Sequence, residues 1–250
     1  MYRGPNSDGY FHDEHCSLGF RRLSIIDVEG GTQPMHYDNG RYTLVFNGEI
    51  YNYLEIREEL EKQNYKFETN SDSEVLLVSY IAYGTECVKK FRGMFGFLIY
   101  DNKEKTLFGA RDPFGIKPMY YSEKDGVTYF ASEKKSILEL TNNKTIDKKA
   151  LQYFFTFRFI PEPLTLHEGI YRLAPGHSFF KKINEPLKIE TYWDAKFEKN
   201  YYKTEEEAIS EIRKFSSVPI ITLTAKVEEY DRFFNRLKNV CGVDCLEIHD

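Results

Sequence analysis

Residues 41–50 of the chain read RYTLVFNGEI, and this stretch decides the class of fold. Tyr42, Leu44 and Phe46 lie two residues apart, which is the spacing of side chains on one face of a β-strand. The pair Asn47-Gly48 breaks this alternation and permits a backbone turn. The stretch therefore predicts a half-buried strand that ends in a turn.

Two helices are predicted immediately after this strand. Tyr53, Ile56 and Leu60 have the spacing of an amphipathic helix with one apolar face. The residues SDSE at 71–74 are typical of a helix N-terminus. The apolar residues that follow them predict a second helix through about Phe91.

The rest of the pattern favours antiparallel β-hairpins. Turn residues separate paired apolar runs at 94–100 and 106–110, and again at 119–121 and 127–131. Residues 1–40 are interpreted as loop, strand and loop, with the strand at 18–26. Later segments predict helices near 134–140 and 147–156, and strands near 170–173 and 177–181. Hairpins without regular βαβ alternation indicate an α+β layered fold rather than a doubly wound parallel sheet.

Composition excludes several classes of function. The 250 residues carry 34 Lys plus Arg against 39 Asp plus Glu, a formal net charge of −5. Nucleic-acid binding needs clustered positive charge, so this balance argues against a nucleic-acid partner. The most apolar stretch, residues 75–83, is far shorter than the ~20 residues that cross a bilayer, which argues against a membrane partner. The first residues lack the pattern of a signal peptide, and a cytoplasmic, reducing location is expected.

The cysteines and histidines match no common metal or disulfide pattern. Four cysteines, at positions 16, 87, 241 and 245, are too few and too unevenly spaced for a disulfide framework. His12, His15 and Cys16 form one cluster, and Cys241, Cys245 and His249 form another. Neither cluster has zinc-ligand spacing or four ligands, so we expect no metal site.

Three polar positions have two readings each. Asn47-Gly48 is either an ordinary turn or a pair of donors, the Asn amide and the Gly N–H, that form an oxyanion hole. Asp72 is either a helix N-cap or a ligand contact. Arg22, with its neighbour Arg21, is either part of a surface ion pair or a bidentate clamp for a substrate carboxylate.

Ordered motifs along residues 1 to about 200 resemble the glutaminase half of the asparagine synthetases. This half is a class II glutamine amidotransferase of the N-terminal-nucleophile hydrolase group. The motifs are RGP at 3–5, RLSIID at 22–27, QPM at 33–35, FNGEIYN at 46–52, SDSE at 71–74, RGMFGF at 92–97, RDPFGIKP at 111–118 and FASE at 130–133.

The resemblance implies a fold, a mechanism and a site. The fold is a four-layer αββα sandwich, here expected to lack its first strand and helix. The mechanism is attack by an N-terminal cysteine thiolate on the side-chain amide of L-glutamine, with a thioester intermediate. Asn47 and Gly48 are expected to form the oxyanion hole. The remaining contacts to L-glutamine are expected from Arg22 to the α-carboxylate, from Asp72 to the α-ammonium, and from Glu49 and Ile26 along the pocket.

The chain also departs from the family pattern. The family's nucleophilic cysteine precedes the RGP motif, which here begins at residue 3, so the catalytic nucleophile is expected to be absent and the chain inactive as given. The resemblance implies a domain at 1–195, a linker helix at 196–215 toward a synthetase domain, and an unmatched tail at 216–250. No cofactor is expected in this chain, because ATP and Mg²⁺ belong to the synthetase half.

Three interpretations remain open at this point. The first is an asparagine-synthetase-type glutaminase domain in asparagine biosynthesis, acting with a synthetase domain or a homologous subunit. The second is a non-catalytic module that senses glutamine or binds a partner. The third is a fragment without function.

Overall fold

The computed structural model of the protein describes residues 7–22 and 33–196, with the isolated positions 204, 206, 207, 209 and 210. The chain divides into two compact units, residues 1–195 and residues 196–250. Every strand of the described residues lies in the first unit. The predicted linker helix falls almost wholly outside the described residues, and the tail at 216–250, including Cys241, Cys245 and His249, lies outside them entirely.

A six-stranded antiparallel sheet forms the centre of this unit, in the order β11-β10-β6-β5-β4-β3. Its strands are β3 (Met35–Tyr37), β4 (Tyr42–Ile50), β5 (Gly93–Asp101), β6 (Thr106–Arg111), β10 (His177–Lys182) and β11 (Lys188–Thr191). The alternation that predicted β4 sorts its side chains by face. Leu44 and Phe46 enter one core cluster, and Val45 enters another on the opposite side of the sheet.

Two helices cover the first face of this sheet. They are α1 (Tyr53–Lys62) and α2 (Asp72–Tyr83). Ile56 and Leu60 are buried, as the helical spacing predicted. The prediction that α2 runs through Phe91 is wrong, because Gly84 adopts φ 59° and ends the helix, after which Gly84–Lys90 forms a 3₁₀ segment.

A second β layer packs on the opposite face. It contains the hairpin of β1 (Ser7–His12) and β2 (Ser17–Arg22), and a separate sheet in the order β8-β7-β9. The strands of that sheet are β7 (Tyr120–Lys124), β8 (Val127–Ala131) and β9 (Tyr171–Arg172). Leu18 of β2 packs with Val45 and Tyr100, and Phe130 of β8 stacks on Phe179 with ring centroids 4.1 Å apart.

Helix α3 (Lys134–Thr141) contacts β7 and β8 and buries Ile137, and α4 (Lys148–Phe157) follows it. The order of layers is helix, sheet, sheet, helix, so the predicted αββα sandwich is confirmed. Among the described helices, none is long and apolar enough to span a membrane.

Three strands differ from the predictions. β1 occupies part of a segment interpreted as loop, and β3 and β11 were not predicted. β3 has three residues, too few to display alternation, and β11 is exposed at every position. Short or fully exposed strands carry little hydrophobic pattern, because their pairing is decided by the neighbouring strand.

Candidate functional site

The candidate site lies along the outer edge of β4, beyond the point where β3 ends. The Tyr51 N–H donates to the Arg92 carbonyl at 2.7 Å, so odd-numbered residues of β4 point their backbone groups toward β5. Even-numbered residues therefore point theirs to the other edge, where β3 pairs with β4 only as far as Leu44.

Side chains take over as partners at this edge. The Gln33 side chain accepts from the Phe46 N–H at 2.6 Å and donates to the Phe46 carbonyl at 3.1 Å. Four residues further along, Oδ2 of Asp72 accepts from the Ile50 N–H at 3.0 Å. The backbone N–H of Gly48 lies between these two positions, and the register of β4 with β5 turns it toward the same outer edge.

The backbone around position 48 leaves room only for glycine. Its φ of +156° is unfavourable for side chains, and a Cβ atom there would lie 2.1 Å from the Met94 carbonyl oxygen and 2.7 Å from the Phe95 Cα. The strands can approach this closely only because residue 48 has no side chain. Gly48 itself is half-buried at this position.

The Asn47 side chain projects from the face of β4 that carries Val45, into the space between the two sheets. It lines a cavity of about 110 Å³. The other lining residues come from β2, β4, β5, β8 and the segment before β7, namely Gly19, Phe20, Val45, Phe46, Gly96, Phe97, Leu98, Pro118, Met119, Phe130, Ala131 and Ser132. The Asn47 side chain and the Gly48 N–H thus offer N–H donors from consecutive residues of β4.

Two open strand edges meet at this cavity. β2 contributes Gly19 and Phe20, and β8 contributes Phe130 and Ala131. Within the described residues, each of these strands has a partner on one side only. An extended segment placed here would find unpaired backbone groups on both sides.

Asp72 is a buried carboxylate at the first turn of α2, with 6% of its surface exposed. The helix N-cap is Ser71, whose hydroxyl accepts from the Glu74 N–H at 3.3 Å, so the capping alternative for Asp72 is wrong. Burial raises the pKa of the Asp72 carboxyl, and the half-buried Glu49 raises it further, against a lowering effect of backbone N–H groups such as that of Ile50. A cation beside the two carboxylates would relieve this repulsion.

The remaining predicted contacts are described in part. Arg22 is the last residue of β2, where it pairs with Ser7, and the structure describes its backbone only. Ile26 lies outside the described residues. Their predicted roles therefore stay predictions, as do those of Asn47, Gly48, Glu49 and Asp72.

The two described thiols are poorly suited to nucleophilic attack. Burial, reinforced by Asp13, raises the pKa of Cys16 to about 12 at the tip of the β1–β2 hairpin. Cys87 is buried on the helix side of the sheet, and burial raises its pKa as well. A thiol held protonated reacts slowly. No three His, Cys, Asp or Glu residues of the described chain are grouped so that they could hold a metal ion.

Sequence reasoning missed the structural roles of Gln33 and Asp112. Asp112 has no exposed surface and accepts hydrogen bonds from the N–H groups of Phe95, Phe114, Ile116 and Lys117. It joins the start of β5 to the loop that leads to Pro118 and Met119 in the cavity wall. Both residues lie in the motifs QPM and RDPFGIKP, but nothing in the motifs themselves indicates which backbone groups they bind.

Comparison with known proteins places this arrangement in a family. Asparagine synthetase [glutamine-hydrolyzing] 1 of Bacillus subtilis is 50% identical over 213 residues, which is 85% of this chain and 34% of that protein. A putative asparagine synthetase of Mycobacterium tuberculosis is 44% identical over 189 residues, which is 70% of this chain and 29% of that protein. The chain thus spans about a third of the length of these relatives.

A solved structure shares the fold. Glutamine phosphoribosylpyrophosphate amidotransferase from B. subtilis superposes with a TM-score of 0.51 at 20% identity, over 71% of this chain and 35% of that one. The fold is therefore the αββα sandwich of the N-terminal-nucleophile amidotransferases. Residues 1–193 match the glutamine amidotransferase domain, and the chain belongs to this family of class II glutamine amidotransferase domains.

Proposed function

We propose that this chain is the glutamine-binding, ammonia-donating part of an asparagine-synthetase-like enzyme. The observation that carries the proposal is the pair of donors at Asn47 and Gly48 beside the buried Asp72 carboxylate. Hydrolysis of an amide places negative charge on its oxygen, and two fixed N–H donors stabilise that charge.

In this proposal each end of L-glutamine has a partner. The side-chain carbonyl oxygen accepts from the Asn47 amide and the Gly48 N–H. The α-ammonium lies beside Asp72 and Glu49, where a cation relieves the repulsion between the two carboxylates. Arg22 binds the α-carboxylate, and Ile26 contributes backbone to the same pocket.

The reaction needs a thiolate that the described residues do not place at Asn47. The thiolate sulfur bonds to the amide carbon, ammonia leaves, and water then releases glutamate from the thioester. Residues 1–6 of the chain contain no cysteine. We therefore propose that these 250 residues bind glutamine and do not hydrolyse it unaided. In the family the nucleophile begins a strand, and the open edges of β2 and β8 are suited to receive one.

The ammonia would be used by a synthetase domain or a homologous subunit, which would also carry the ATP and Mg²⁺ of the overall reaction. The lengths of the relatives support this part of the proposal, because about two-thirds of each lies beyond the matched region.

Calorimetric titration with L-glutamine tests the binding step. We expect saturable heat with the wild-type chain and at least about tenfold weaker binding for Asp72→Asn, since a hydrogen bond to a charged group is worth about 1.5–3 kcal/mol. Asp125→Asn is the matched control, because Asp125 lies in the exposed β7–β8 turn with φ 51° and Asn tolerates that conformation.

Two outcomes would change the proposal. Absence of heat at millimolar glutamine, in a chain that unfolds cooperatively, would remove glutamine binding. Glutamate release above the buffer rate would show that the 250 residues supply a nucleophile, and would contradict the proposal that the chain is inactive alone. Binding without release would leave the glutamine-sensing module as the alternative, to be separated by adding a synthetase partner.

A further inference from the structure

The Gln33 side chain behaves as a one-residue strand beside β4. Its Oε1 accepts from the Phe46 N–H at 2.6 Å while its Nε2 donates to the Phe46 carbonyl at 3.1 Å. A neighbouring β-strand would satisfy the same two groups with its own backbone. The amide group therefore continues the pairing of β4 for one more position beyond Leu44, the β4 residue opposite the first residue of β3.

The contact is made at Phe46, and Gly48 is the next residue of β4 whose backbone groups face the same outer edge. The three outward positions after Leu44 are Phe46, Gly48 and Ile50, of which the first is held by Gln33 and the last by Asp72. Because backbone torsions between Phe46 and Gly48 aim both the Asn47 side chain and the Gly48 N–H, a partner that fixes Phe46 restricts the direction of both donors.

The backbone at Gln33 is itself closely packed. A Cβ on Gly9 of β1 would lie 2.0 Å from the Gln33 carbonyl oxygen and 2.8 Å from Cδ of Pro34. The β1–β2 hairpin thus abuts the main chain that carries the Gln33 amide. The amide reaches Phe46 from a backbone whose position the hairpin limits.

We infer that Gln33 is a positioning residue for the oxyanion donors, acting through Phe46. This inference rests on the proposed function, since it concerns the same glutamine site. Gln33 is not among the residues that line the cavity. It sets the orientation of the Gly48 N–H and the Asn47 amide by bonding both backbone groups of the residue before them.

The substitution Gln33→Glu separates this role from simple packing. A protonated glutamic acid has one donor and one acceptor, like the amide, whereas a carboxylate has acceptors only. The ionised side chain would still accept from the Phe46 N–H but would oppose the Phe46 carbonyl. Lowering the pH through the titration of Glu, ordinarily near about 4.3, should therefore restore the pair. A packing role has no such pH dependence.

The test measures glutamine affinity of the full chain at about pH 8, where a Glu side chain is ionised, and at about pH 4.5, near the midpoint of its titration. For Gln33→Glu we expect the Kd relative to wild type to be raised about tenfold at the higher pH, as for the loss of about one net hydrogen bond, and to return to within about twofold at the lower. Gln33→Met, which keeps the length of the side chain without the amide, should be weakened at both pH values. Gln63→Glu is the matched control, because the Gln63 amide is exposed and bonds only the Tyr83 hydroxyl.

A second readout follows the donors directly. In amide NMR spectra, the Phe46 N–H should lose protection from hydrogen exchange in Gln33→Met, and the Gly48 N–H should shift less on addition of glutamine than it does in wild type. Wild-type affinity retained in both Gln33 variants would overturn the inference and leave the proposed function standing. Absence of glutamine binding by the wild-type chain would overturn both.

Discussion

The substitution Gly48→Ala tests whether the close approach of β4 and β5 builds the site. The new methyl group would lie 2.1 Å from the Met94 carbonyl oxygen, about 0.9 Å inside the 3.0 Å limit that real Cβ contacts respect. The obstacle is backbone on the neighbouring strand, so the clash is not relieved by rotating a side chain.

Two costs add at this position. Holding a residue with a side chain in an unfavourable backbone region costs about 1–3 kcal/mol, and overpacking costs about 1–3 kcal/mol. We expect Gly48→Ala to lower the free energy of unfolding by about 4 kcal/mol in total. At about 2–4 °C per kcal/mol for a domain of this size, Tm should fall by about 8–16 °C.

Gly40→Ala isolates the first cost. Gly40 has φ +83° in the turn before β4, and nothing lies within 4 Å of the Cβ position. This variant should lose only about 1–2 kcal/mol. Urea denaturation of both variants measures the difference. Equal losses, within about 0.5 kcal/mol, would refute the argument that the strand contact at Met94 makes glycine necessary.

Three further perturbations follow from the buried polar groups. Because burial raises the pKa of Asp72 in the folded state, its ionisation destabilises the fold as pH rises through that pKa. Asp72→Asn should therefore be more stable than wild type at pH 7 and equal to it below the unfolded pKa of 3.8. Denaturation at both pH values measures this difference. Asp112→Asn replaces one carboxylate oxygen by an NH₂ group, so two N–H groups, such as those of Phe95 and Lys117, lose their acceptor; this should cost about 2–6 kcal/mol by urea denaturation, whereas a loss under 1 kcal/mol would contradict the four-donor network. Tyr100→Phe removes a hydroxyl that donates to Asp13 at 2.9 Å and should cost about 1.5 kcal/mol at neutral pH. Burial raises the pKa of Asp13, but hydrogen bonds from the His15 backbone and Tyr100 lower it overall, so this cost should fall toward that of a neutral hydrogen bond as acid protonates Asp13; a cost unchanged in acid would argue against a bond to the carboxylate.

The elements that sequence predicted well are those with a strong local pattern. β4 and α1 each follow from the spacing of their apolar residues. β4 was expected at 41–50 and spans Tyr42–Ile50, and α1 contains the three predicted apolar positions Tyr53, Ile56 and Leu60. The end of α2 was missed because Gly84 adopts φ 59°, a local conformation that the apolar pattern beyond it conceals. Local periodicity thus indicates where an element exists better than where it stops.

The same distinction between local and non-local features applies to the candidate site. Residue types at Asn47, Gly48 and Asp72 indicate the chemistry, but the direction of the Gly48 N–H depends on the register of β4 with β5, which joins residues 47 positions apart at Gly48 and Phe95. The Gln33 contact depends on where β3 begins. Neither property is local, so no pattern in the neighbouring residues predicts it.

The edge of β4 shows why these contacts belong together. An edge strand with a row of unpaired backbone groups frays or pairs with other chains, so an edge left open only for substrate would be a liability. A strand paired along its whole length would have no backbone donor left for an amide oxygen. Gln33 and Asp72 resolve this conflict by covering the positions on either side of Gly48. The protection of the edge and the construction of the oxyanion site are therefore the same structural feature, and changing either side chain should affect both.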